Sequence, residues 1–183
     1  MTALPPVPKH GREMRIFSVF LAVLALTGPA AAETCRLDFT IEITQGVGDI
    51  RPGDMLPGWA EFTTQGSFRQ EGGSTAHLAT GQMALGEDIS GPVWTLIATA
   101  RNFSADLVGI YAHDVTGFSF AGVDFEGPMA LTLFGPPGTR PDAVPPVTQE
   151  EWDALDLRRV FVLHAHGLDM LAGDVRELTA DCQ

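Results

Sequence analysis

From Arg36 to Ile43 the chain alternates with a period of two. Leu37, Phe39, Ile41 and Ile43 share one side, while Arg36, Asp38, Thr40 and Glu42 share the other. Side chains two apart on a strand point the same way, so this segment reads as a strand with one face in a core and one in water. The same reading places strands at 59–64, 67–70, 75–85, 93–100, 107–115, 118–124, 129–134, 159–166 and 174–181. Gly, Pro, Asp or Ser bounds most of them, as Gly46, Gly48, Pro52-Gly53 and Pro57-Gly58 do after the first. The expected fold is all-β: a single antiparallel β-sandwich or flattened β-barrel of about 8–9 strands with one short helix.

The helix is marked by Thr148-Gln149-Glu150-Glu151, a capping box with Thr148 as N-cap and Glu151 three residues on. Trp152, Leu155 and Leu157 are its expected apolar side. Before it runs a proline-rich stretch, 135–146, of a length that marks a functional or mobile loop. A short echo links Gly86-Glu87-Asp88-Ile89-Ser90-Gly91-Pro92 to Gly122-Val123-Asp124-Phe125-Glu126-Gly127-Pro128. The echo reads as a turn entering a strand in each copy. Paired Ca²⁺ loops on Asp88 and Asp124 are the alternative.

The first 32 residues read as a secretory signal. Lys9, Arg12 and Arg15 form a basic start, residues 16–26 are apolar apart from Ser18, and Gly28-Pro29 precede Ala30-Ala31-Ala32. The apolar run falls short of the ~20 residues of a membrane span, and no later segment reaches that length. The expected mature domain is therefore residues 33–183, beginning at Glu33 and exported to the periplasm or the medium. Translation starting at Met1 or at Met14 would each leave a workable signal. Glu33 and Thr34 before Cys35 do not fit a lipoprotein signal. Cys35 and Cys182 are the chain's two cysteines, and in an exported protein they are expected to form one disulfide joining the two ends of the domain.

Charge removes several functions. With 11 basic against 23 acidic residues and a net charge of −12, the chain is not built to neutralise nucleic-acid phosphates. Its one lysine, Lys9, leaves with the signal. Schiff-base chemistry, Ser-Lys catalysis and a Walker phosphate loop all need a lysine. G-x-S-x-G, H-E-x-x-H and C-x-x-C motifs are absent. Carboxylates are plentiful, but no glycosidase pair can be singled out among them. Trp59, Trp94 and Trp152 read as core or rim residues, and Arg158-Arg159 as partners of neighbouring acids.

The remaining constellation is His164-Ala165-His166. Two residues apart on a strand, both imidazoles face one way and could reach one metal, with His113 and Asp114, or His77, completing the site if the sheet brings them near. Zinc or another divalent cation would be the cofactor. A catalytic zinc needs three protein ligands, and nothing in the sequence brings His113 beside the pair. The favoured expectation is that the histidines sit at a strand end and that no cofactor is held. The expected role is a non-enzymatic binding or structural module for an envelope protein or small ligand, with no nucleic-acid partner and no membrane span. The alternative is a metal-dependent hydrolase on the His-x-His strand. A pocket without titratable groups would favour the first, and convergence of His164, His166, His113 and Asp114 the second.

Overall fold

The computed structural model describes residues 34–99, 104–115, 118–120, 123–165 and 170–183. The expected signal, residues 1–32, and His166 lie outside them. The strands are β1 (Thr34–Gln45), β2 (Met55–Glu71), β3 (Ser74–Leu85), β4 (Ile89–Thr99), β5 (Asp106–Ala112), β6 (Phe118–Phe120), β7 (Val123–Gly135), β8 (Arg158–Ala165) and β9 (Met170–Cys182). One helix, α1 (Gln149–Asp153), precedes β8. The strands follow the order β5-β4-β3-β2-β1-β9-β8-β7-β6, and β5 also pairs with β7. That last pairing closes eight strands into an antiparallel barrel, with β6 as a short arm on β7. Of the two expected architectures, the barrel is the one formed. Closure removes the free edges that a sandwich would leave.

The period of two sets the inside and the outside. Leu37, Phe39, Ile41 and Ile43 are buried, as are Phe62, Met83, Leu96, Ile110, Leu131 and Phe161 on other strands. The rings of Phe39 and Phe161, from β1 and β8, lie 5.9 Å apart. The outer face of β1 is charged. Arg36 lies 4.4 Å over the Trp59 ring and pairs with Asp38 at 2.9 Å and Glu61 at 3.3 Å, and Glu42 pairs with Arg176 at 2.7 Å. The hydrogen bond to Asp38 is the main cause that raises the Arg36 pKa above its ordinary value. A membrane barrel turns its apolar side chains outward and its polar ones inward, the reverse of this arrangement. Among the described residues no helix is long and apolar enough to cross a membrane.

The first and last strands are neighbours. Cys35 and Cys182 stand opposite one another in the β1–β9 ladder and form the expected disulfide, with Cα atoms 4.0 Å apart across a sequence separation of 147. Thr34 and Gln183 exchange two backbone hydrogen bonds beyond it, at 3.0 and 2.8 Å.

Three local expectations change. The segments 59–64 and 67–70 are one strand, β2, because bulges at Gln65 and Phe68 keep the ladder running where Gly66 broke the pattern. The segment 118–124 is divided between β6 and β7, which pair as an antiparallel hairpin. Leu157 does not join the helix's apolar side. The helix ends at Asp153, so Leu157 is 57% exposed while Trp152 and Leu155 are buried.

The echoed Gly-Pro pairs also find a physical role. Gly91 in β4 and Gly127 in β7 lie on the two strands that flank β5, and Val115 packs against both. A Cβ on either glycine would come within 2.9 Å of Val115 Cγ2. The repeat makes room for the chain leaving β5. Asp88 sits exposed in the β3–β4 turn, and the side chain of Asp124 lies outside the described residues.

The proline-rich segment is pinned rather than loose. The buried Asp106 carboxylate accepts hydrogen bonds from the Gly138 and Arg140 amides at 2.9 and 2.7 Å. The Arg140 guanidinium donates to the Val144 and Pro145 carbonyls and to Glu151. Ala143, at φ 49°, joins the core, and its carbonyl lies 3.3 Å from Nε2 of the buried His77 on β3. Glu151 supplies the capping box expected at Thr148 and also accepts from the Val147 amide at 2.7 Å. Segment and helix together fold over the barrel end that carries the disulfide, where Cys35 Sγ is 3.9 Å from the Pro146 carbonyl.

Candidate functional site: a cleft on the outer wall

Three irregularities in the ladders fall side by side. Between Thr64 and Gly66 β2 carries an extra residue, Gln65, relative to β3. Between Leu78 and Gly81 β3 carries Ala79 and Thr80 opposite Trp94 alone on β4. Trp94 is in turn the residue left over where β4 meets β5, between Val93 and Thr95. A bulge bends its strand and re-aims a side chain. Here three adjacent strands bend together, and the wall opens outward into a cleft.

The cleft has a volume of about 410 Å³ and is lined by Gln65, Leu78, Ala79, Thr80, Gly81, Pro92, Val93 and Trp94. Volumes of ~300–1,000 Å³ are usual for sites that take small molecules. Ala79 and Val93 are buried in its floor, whereas Leu78 and Trp94 remain 48% and 54% exposed. Gly81 belongs to the floor because β2 passes against it: a Cβ there would stand 1.9 Å from the Glu61 carbonyl oxygen. Polar character comes from two uncharged side chains, with Gln65 Nε2 donating to Thr80 Oγ1 at 3.1 Å. None of the lining residues titrates. A second outer cleft, of about 400 Å³, is the electrostatic opposite. It combines Trp59 with Asp38, Glu87 and Glu177.

The described residues among the metal ligands proposed from sequence, His113, Asp114 and His164, lie elsewhere. Ala112, Met129 and Leu163 stand in one row across β5, β7 and β8. His113 and His164 each follow that row by one residue, both exposed, at the end of the barrel away from the disulfide, with β7 between their strands. Asp114 is exposed next to His113, in a left-handed conformation at φ 55°. Among the described residues no three His, Cys, Asp or Glu side chains gather so as to hold a metal. His77, the other histidine considered, is buried at the opposite end of the barrel under the Ala143 carbonyl.

The remaining flagged side chains divide by environment. Trp152 is fully buried, with its Nε1 unpartnered among the described residues. Trp59 is stacked under Arg36. Arg159 donates chiefly to the Leu155, Trp152 and Asp153 carbonyls at the end of the helix, with the Asp153 carboxylate farther off at 3.8 Å. The cleft itself was missed in sequence because 75–85 reads as one unbroken strand. Gly81 inside that run was the available signal, since a lone glycine in a strand marks a bulge or a close backbone approach. No family model, curated protein or solved structure matches this chain.

Proposed function

We propose that this chain is an exported, soluble binding module of the cell envelope, processed after Ala32 and working in the periplasm or the medium. It acts by holding a small ligand or an envelope partner on its outer wall. The observation that carries this reading is the cleft lined by Leu78 and Trp94, of ligand size and without a titratable group. Acid–base or nucleophilic catalysis needs such a group within reach of the substrate. The disulfide, formed in oxidising compartments, supports export.

A metal-dependent hydrolase is the competing reading. In its favour, His113 and His164 are both exposed at the same barrel end. One preparation tests both readings: the processed protein recovered from the envelope fraction or medium. Its intact mass should begin near Glu33, and its metal content should be unchanged by His164→Ala/His166→Ala. Retention of the leader in membranes would overturn export. Stoichiometric zinc that disappears in the double variant would overturn the binding module in favour of the enzyme.

A further inference from the structure

The cleft also constrains what it holds. Resting on the reading of the chain as a binding module, we infer that the ligand is an uncharged, largely apolar small molecule with one hydrogen-bonding end. Its flat or branched body would rest against Leu78 and Trp94, and its polar end would meet Gln65 and Thr80.

Charge is the first argument. On a chain of net charge −12, eight lining residues carry no acid and no base. The cleft at Trp59 is lined by three carboxylates. A charged ligand entering the Trp94 cleft would lose hydration without gaining a counter-charge, a loss that uncharged ligands avoid.

Shape and exposure agree. Leu78 and Trp94 line the cleft about half exposed, and Ala79 and Val93, which also line it, are buried. An indole and an aliphatic branch lining one cleft suit a ring or a branched acyl group, and covering both removes apolar surface from water. The polar end follows from the inventory of donors and acceptors. Gln65 uses one amide hydrogen on Thr80, which leaves its carbonyl oxygen to accept and the Thr80 hydroxyl to donate. A single neutral polar group, such as an amide, an alcohol or an aryl amine, matches that pair.

N-phenyl-1-naphthylamine, neutral and carrying one N–H, is a suitable probe, and anilinonaphthalene sulfonate is its anionic counterpart. Titrated into the processed protein, the neutral probe should bind saturably at one site per chain and quench tryptophan emission by energy transfer. The sulfonate should bind at least tenfold more weakly. Trp94→Ala should weaken the neutral probe about tenfold and Gln65→Leu about threefold, whereas Trp59→Ala should leave it unchanged. Trp94 is 54% exposed, so its removal leaves the core intact, and an unshifted Tm verifies that. Absence of saturable binding, equal binding of the sulfonate, or undiminished binding in Trp94→Ala would each overturn this inference. Binding abolished by Trp59→Ala instead would move the site to the acidic cleft and leave the binding-module reading standing. Zinc in the preparation above is the separate outcome that sinks the module itself.

Discussion

Replacing Arg140 by alanine tests how the proline-rich segment is held. The Arg140 side chain is 9% exposed. Its Nε and Nη2 donate to the Val144 carbonyl at 2.9 and 2.7 Å, Nη2 also donates to Pro145 at 3.0 Å, and Nη1 donates to Glu151 at 2.9 Å. Pro145 is buried, so its carbonyl would be left without a partner, while Val144 is exposed and would recover water. Glu151 is 38% exposed and would retain the Val147 and Thr148 amides, so loss of the ion pair contributes little. One orphaned buried carbonyl and the lost charge-assisted bonds together give a cost of about 2–4 kcal/mol. Arg140→Lys should recover about half, because a single ammonium cannot span two carbonyls and a carboxylate together. Urea unfolding gives the difference from the midpoint at constant slope. Hydrogen exchange should show the Gly138 and Arg140 amides losing protection before the barrel strands do. A loss below about 0.5 kcal/mol, the usual limit for surface changes, would refute this account of the segment.

Two other expectations concern the same end of the barrel. Burial alone would raise the Glu151 pKa, but hydrogen bonds from Val147, Arg140 and Thr148 outweigh it and hold the carboxyl below its ordinary value near 4.5. The stability this contributes is complete above that value and is lost as the pH falls through the lowered pKa, so between neutral pH and acid wild type should lose more stability than Glu151→Gln, the two converging at low pH; parallel curves would contradict it. Reducing the Cys35–Cys182 bridge releases a loop with a sequence separation of 147, which the chain-entropy model values at about 5 kcal/mol, an upper figure. Far-ultraviolet circular dichroism should still show the barrel after reduction, since the β1–β9 ladder does not depend on the sulfurs, and an unfolding midpoint that ignores reductant would refute the staple.

Much of the fold was legible because it rests on local rules. The alternation of Leu37, Phe39, Ile41 and Ile43 with charged neighbours needs no partner to be read. The capping box at Thr148 is contained in four residues. Barrel closure was not legible, because it depends on β5 pairing with β7 past the β6 arm, a long-range choice that no window of sequence contains. The role of 135–146 was hidden for the same reason. Asp106 and His77, which anchor that segment, come from β5 and β3, remote in sequence from Arg140 and Ala143.

The site shows where such rules stop. Trp94 reads as an ordinary rim residue on an alternating strand, and it is the coincidence of extra residues on β2, β3 and β4 that turns its indole into the wall of a cleft. Each irregularity alone would shift a register and bend one strand. Three in line fall where the cleft lined by Leu78, Ala79, Val93 and Trp94 opens. One residue of the 75–85 run carries the trace of this: Gly81 stands where β2 presses close, so that a Cβ there would meet the Glu61 carbonyl. A glycine inside a strand pattern is thus a local sign of a bulge or a close backbone approach, whereas the more conspicuous His-x-His motif contributes His164 to the described residues, exposed near the end of β8.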